Sequence, residues 1–221
     1  MPVSTSKQFI YFVIPKCGSA TVRNSIKQYT DIKRLPGHFC EHFTIKRFLR
    51  SKYAPLINTY FKFTFVRNPY DRIYSAFIQD KFAADNYPVW KEVKKGIILD
   101  AEEDFNQYFQ KYVATSDIVN DWRWINFTPM HAFSHFKGYY LLNWFGRTEN
   151  LENDLYHLSD RLDLEIGEIE NKNVRSPIVR ELKYVDKYDK KTIQLVNKIY
   201  RFDFEFFNYK MLNPDDFSEN V

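Results

Sequence analysis

Residues Phe9-Ile10-Tyr11-Phe12-Val13-Ile14 form an unbroken run of aromatic and β-branched side chains. Such a run predicts a strand over 8–14 that is buried on both faces. A break follows from Pro15 to Ser19, and then Val22, Ile26 and Tyr29 recur at helical spacing, predicting a helix over about 20–30. Residues 42–50 read as a short basic helix. Tyr60 to Val66 alternates aromatic and polar residues, the period of a second strand. Asn68-Pro69 marks a turn, and Ile73, Ala76 and Phe77 open a helix after it. A further helix is expected over 101–114. Tyr139 to Phe145 reads as a third apolar strand ended by Gly146. Leu151, Leu155, Leu158 and Leu162 share one helical face, as do Ile193, Val196, Ile199 and Tyr200. Strands alternating with helices predict an α/β fold, with a central parallel sheet flanked by helices. Ligands of such folds bind at the C-terminal ends of the strands. No repeat, low-complexity tract or linker divides the chain, so 1–221 reads as a single domain.

Composition narrows the class. The 221 residues include 4 Trp, 16 Tyr and 21 Phe but only six glycines. Abundant aromatics exclude a disordered chain, and scarce glycine excludes collagen-like or glycine-rich sequence. The apolar runs fall well short of the ~20 residues that span a bilayer, so no membrane span is expected. No basic stretch followed by an apolar one opens the chain, so a cytoplasmic location is expected. Cys17 and Cys40 have no metal-ligand spacing and read as reduced thiols; no metal is expected.

Charge adds a second layer. The net charge is +4, yet residues 27–52 hold seven basic and two acidic side chains, and residues 171–201 hold nine and three. The remainder is therefore acidic. Two basic segments on an acidic body suggest a local anionic partner, and no nucleic acid is expected. Solvated helix faces are the plainer explanation of either segment alone.

The strand, then Pro15-Lys16-Cys17-Gly18-Ser19-Ala20-Thr21, then a helix, is an anion-site architecture. Gly18 lets backbone approach a phosphate, and free amides at the helix start point at it. Ser19 and Thr21 add hydroxyls and Lys16 a positive charge. The loop lacks the Walker A pattern, in which Gly-Lys-Ser/Thr follows four residues after a first Gly. A plain strand-to-helix turn is the alternative. Farther on, Arg67 stands at the tip of the second strand in Val66-Arg67-Asn68-Pro69-Tyr70-Asp71-Arg72, with Ser75 eight residues later on the next helix. An arginine fork and a serine can grip one phosphate from two sides. Alone, an Arg67–Asp71 structural link fits equally well.

Taken together, the two segments resemble the 5′-phosphosulfate loop and 3′-phosphate motif of sulfotransferases. F-V-R-N-P-Y-D-R-x-x-S-A-F is most similar to the carbohydrate sulfotransferases that include heparan 2-O- and chondroitin enzymes, and to their bacterial relatives. Phe145-Gly146-Arg147-Thr148-Glu149-Asn150-Leu151 resembles the family's G-R-x-E-N-L segment, and Tyr184 to Tyr209 its C-terminal helix. The resemblance implies a P-loop-like sulfotransferase fold and 3′-phosphoadenosine-5′-phosphosulfate (PAPS) as co-substrate. Lys16 would contact the oxygen bridging sulfate and phosphate, where charge builds in the transition state. Cys17, Gly18, Ser19, Ala20 and Thr21 would cradle the 5′-phosphate, with Cys17 standing where the family often has Thr. Arg67 and Ser75 would hold the 3′-phosphate. Asn173, Arg175 and Ser176 are candidates for further contacts there.

An acceptor hydroxyl needs a general base. His42-Phe43-Thr44-Ile45-Lys46-Arg47-Phe48 is similar to the pattern that carries the base in heparan 2-O-type members. His42 is favoured, then His38, then Glu41; His131 and His135 are candidates for the acceptor cleft. His42 lies in the first basic segment, which favours an anionic carbohydrate acceptor. The implied function is sulfonyl transfer from PAPS to a carbohydrate hydroxyl. A nucleotide-dependent small-molecule kinase and a non-catalytic phosphoadenosine-binding module are the alternatives.

Overall fold

The computed structural model describes residues 1–32, 42–86, 104–169 and 184–219. In chain order its elements are β1 (Val3–Ser4), β2 (Phe9–Tyr11), α1 (Ser19–Ser25), α2 (Ile45–Phe48), β3 (Phe61–Val66), α3 (Pro69–Asn86), α4 (Phe105–Tyr108), β4 (His135–Phe136), β5 (Tyr139–Tyr140), β6 (Trp144–Arg147), α5 (Leu151–Leu162), α6 (Lys190–Ile199) and α7 (Arg201–Phe206). Short 3₁₀ turns connect several of them. Two compact units arise, each from two stretches of chain: Met1–Arg67 with Met130–Arg175, and Asn68–Pro129 with Ser176–Val221.

The first unit holds the central sheet, in the order β1-β2-β3-β6. β2, β3 and β6 run parallel, and β1 adds an antiparallel edge. Alternation along β2 sends side chains to both faces. Tyr11 stacks on Phe63 at 5.0 Å between ring centres, while Phe12, just beyond the strand, packs edge-on against Phe48 of α2 at 5.2 Å. Both faces are buried, which is why the sequence shows a continuous apolar run there and not an alternation.

The α/β class and parallel core thus agree with the sequence pattern. The third strand does not. The apolar run from Tyr139 splits: Tyr139–Tyr140 pairs antiparallel with His135–Phe136 in a hairpin, and only Trp144–Arg147 joins the sheet. Gly146 does not end this strand but sits inside it, opposite Phe65. A Cβ on Gly146 would lie 2.5 Å from the Phe65 ring and 2.7 Å from that of Trp144, so two aromatic rings occupy the space it leaves.

The second unit is helical. Tyr70, Ile73, Ala76 and Phe77 of α3 pack with Phe105, Tyr108, Tyr188, Ile193, Val196 and Phe204. Rings meet edge-on, as at Phe105–Tyr188, 4.7 Å apart. Much of the aromatic excess is therefore core. Asp189 starts α6 by accepting from the Thr192 amide at 2.6 Å. The helix expected over 101–114 is short: α4 passes into a π-helical turn at Phe109–Val113.

Candidate functional site

The loop after β2 is shaped by two left-handed residues. Lys16 has φ +67° and Gly18 φ +68°. Glycine adopts this conformation freely, whereas for lysine it costs about 1 kcal/mol. Such strain occurs at ligand-binding loops and also at turns, as at Gln8, Lys137, Asp163 and Asn208 of this chain. Gly18 is favoured by its positive φ, and a Cβ there would also crowd the Leu151 side chain at 3.1 Å. Helix α1 starts immediately after it. Its first turn has no acidic residue and its last turn carries Arg23, whose Nε donates to the Ser19 carbonyl at 3.0 Å. Lys16, Gly18, Ser19 and Ala20 are partly exposed. Cys17 is fully buried and Thr21 nearly so. The contribution of Cys17 to any ligand is therefore its backbone.

Parallel pairing sets the tips of β2 and β3 side by side. This brings Arg67 to the loop, where its Nη1 donates to the Lys16 carbonyl at 3.0 Å. The third tip is tied in by residues that motif reading passed over. Thr148 Oγ1 donates to the Val66 carbonyl at 2.9 Å. Asp154 accepts from the Arg147 amide at 2.5 Å and from Asn150 Nδ2 at 2.9 Å. Within the G-R-x-E-N-L segment, Thr148 and the Arg147 amide thus help to fix strand ends. An acidic residue in the first turn of α5 was the available sign of this.

His42 lies just before α2, in the same unit. Its Nδ1 is 2.9 Å from the Val13 carbonyl. A carbonyl can only accept, so Nδ1 carries the proton and Nε2 is the basic nitrogen of the neutral ring. Burial pulls the His42 pKa down to about 4; the Val13 bond opposes this, and the positive charges of the amino terminus, Arg23 and Lys16 add to it. The ring is neutral at pH 7, not half-titrated near 6.5 as in an open site.

His131 occupies a 3₁₀ turn over Met130–Phe133. His135 Nδ1 lies 2.9 Å from Ser134 Oγ, with its ring 5.1 Å from that of Tyr140. Helix α2 packs against this turn and β4. Ser75 is half-buried in the second turn of α3, within the other unit. His38, Glu41, Asn173, Arg175 and Ser176 lie outside the described residues.

A family model described as "Sulfotransferase family" matches residues 1–210. The chain belongs to the sulfotransferase family. The match spans both units and every candidate site residue, and it makes this sulfotransferase a transferase of sulfonyl groups. Comparison with curated proteins and with solved structures gave no match. Among the described residues, no helix of the sulfotransferase is long and apolar enough to cross a membrane.

Proposed function

We propose that this sulfotransferase moves the sulfonyl group of PAPS to a hydroxyl of a carbohydrate acceptor, with His42 as general base. The observation that carries the reading is the His42–Val13 bond, which anchors a neutral imidazole to a carbonyl three residues before Lys16.

The residues present fit the co-substrate. A left-handed backbone at Lys16 and Gly18, a cationic side chain at Lys16 and the amides opening α1 suit an anionic phosphosulfate. Bound there, PAPS supplies an activated sulfonyl group on a phosphate leaving group. Gly18, Ser19, Ala20 and Thr21 hold the 5′-phosphate, and Lys16 meets the charge that develops as the bridging bond breaks. Arg67 has five N–H donors, so one nitrogen can serve Lys16 while others reach the 3′-phosphate. The resemblance assigns Ser75 to that phosphate, and makes Arg175 a candidate for contacts at the same end of the nucleotide.

The acceptor oxygen forms its bond to sulfur in line with the departing phosphate oxygen. Its proton passes to His42 Nε2. The Val13 carbonyl, accepting from Nδ1, then stabilises the imidazolium. Burial makes His42 a weak base, but one fully unprotonated at neutral pH. Lys46, Arg47, Arg50 and Lys52 follow His42 in the chain, and this charge supports an acceptor bearing carboxylate or sulfate.

Radiolabelled PAPS offered with uronate-containing, sulfated and neutral oligosaccharides tests the reading. Transfer to the anionic sugars, weakening as salt rises, is expected. Preference for neutral sugars without salt dependence overturns the acceptor class. Thermal stabilisation by ATP–Mg²⁺ alone, and not by 3′,5′-bisphosphoadenosine, overturns the co-substrate.

A further inference from the structure

Arg72 is fully buried, in a unit whose core is otherwise largely aromatic. Its Nη1 donates to the Asn126 carbonyl at 3.1 Å and its Nη2 to the Thr128 carbonyl at 3.0 Å. The carbonyl between them, that of Phe127, accepts from Tyr200 Oη at 2.7 Å. The guanidinium carbon lies 5.7 Å from the Tyr200 ring centre, so two side chains and one cation–π contact hold three successive carbonyls. Arg72 Nε has no hydrogen-bond partner among the described residues. Burying a charge carries a desolvation cost, which here the two carbonyls and the Tyr200 ring offset in part.

The position is distinctive. The chain enters this unit at Asn68, four residues before Arg72, and leaves it at Pro129, one residue after Thr128. The guanidinium therefore ties the incoming chain to the outgoing one. Ser75 follows Arg72 by three residues on α3, nearly a full turn along the same side of the helix.

We propose that Arg72 is a positioning residue: by clamping α3 to the carbonyls of residues 126–128 it fixes the rotation and height of the turn that presents Ser75. The kinetic consequence rests on the assignment of Ser75 to PAPS; the clamp itself does not. A fork bridges two carbonyls where an ammonium makes a single point contact, so lysine replaces the charge without the clamp. Holding a phosphate equally in ground and transition states affects KM and leaves kcat nearly unchanged.

Arg72→Lys and Tyr200→Phe test this in the full chain. Hydrogen exchange, which needs no ligand, is expected to quicken in the first two turns of α3 and at residues 126–128, with β2 and β3 unaffected. In steady-state assays Arg72→Lys is expected to raise KM for PAPS about tenfold, the scale of one lost charge-assisted contact, with kcat within about twofold. Tyr200→Phe, which keeps the ring and loses only the Phe127 bond, shifts both readouts the same way by less. Unchanged exchange in both variants overturns the clamp. Quickened exchange with a wild-type KM overturns the positioning role. Should Arg72→Lys fail to fold, Tyr200→Phe decides both points by the same criteria. A wild-type protein that binds no 3′,5′-bisphosphoadenosine refutes the co-substrate assignment instead, and the exchange readout then decides the clamp alone.

Discussion

His42 gives its Nδ1 proton to the carbonyl of Val13, 2.9 Å away. One main-chain acceptor thereby chooses the tautomer, orients the ring and ties it to the segment that leads into the loop of Lys16 and Gly18. Replacing His42 by Ala is expected to slow sulfonyl transfer by about 10²–10⁴-fold, the usual contribution of a general base, with 3′,5′-bisphosphoadenosine binding retained. An unaltered rate removes His42 from this role.

The same ring sets a pH dependence. Its pKa is about 4 when folded, against an ordinary 6.5. Between these values the unfolded chain binds the extra proton, so stability falls as pH drops from 6.5 to 4 and is unaffected above. Melting curves across that window should be flatter for His42→Gln than for wild type. Equal slopes would show that the ring titrates normally.

Lys16 carries a positive charge on a strained backbone. Lys16→Gly should melt at or above the wild-type temperature, since glycine removes a left-handed penalty of about 1 kcal/mol, yet lose most transfer activity. Lys16→Ala loses activity without the gain in stability. The two variants, compared by calorimetry and by radiolabel assay, separate strain from charge.

Gly146 and Gly18 resemble each other in sequence terms and differ physically. Gly146→Ala forces a methyl group into two aromatic rings, and about 1–3 kcal/mol of destabilisation is expected. Gly18→Ala has more room but demands positive φ, so its loss falls on bisphosphoadenosine affinity as well as stability. Denaturant midpoints alongside binding isotherms distinguish them.

Tyr11 is wholly buried with a hydroxyl that has no hydrogen-bond partner among the described residues, and burial holds its phenol well above the ordinary range. An unsatisfied buried hydroxyl costs about 1–3 kcal/mol. Tyr11→Phe is therefore expected to unfold at equal or higher denaturant with unchanged activity. Clear destabilisation would mean that the hydroxyl has a partner in solution.

Local pattern revealed what local physics controls. The apolar run at Phe9–Ile14 and the helix face of Ile73, Ala76 and Phe77 marked β2 and α3, because period and burial are written into neighbouring residues. The run from Tyr139 to Phe145 misled, because apolar continuity does not tell where a segment changes its pairing partner. The two-residue β1 leaves no periodic trace at all. Lys16, Gly18 and Arg67 stand out as candidates from the strand–loop–helix pattern and the resemblance, whereas the Val13 anchor of His42 joins residues 29 positions apart through a main-chain atom, which no side-chain pattern records. Asp154 and Thr148 escaped for a similar reason, since their partners are backbone groups.

The bond from Arg67 to the Lys16 carbonyl spans 51 residues of sequence. It joins the tip of β3 to the loop after β2. Anything that draws the Arg67 guanidinium toward itself also acts on the strained peptide at Lys16. Arg67→Ala removes this donor from the Lys16 carbonyl, so hydrogen exchange over residues 15–21 should quicken beyond what Lys16→Ala, which keeps the carbonyl, produces. A nucleotide without a 3′-phosphate should likewise forfeit more than one contact, because it also leaves the loop without that distant influence.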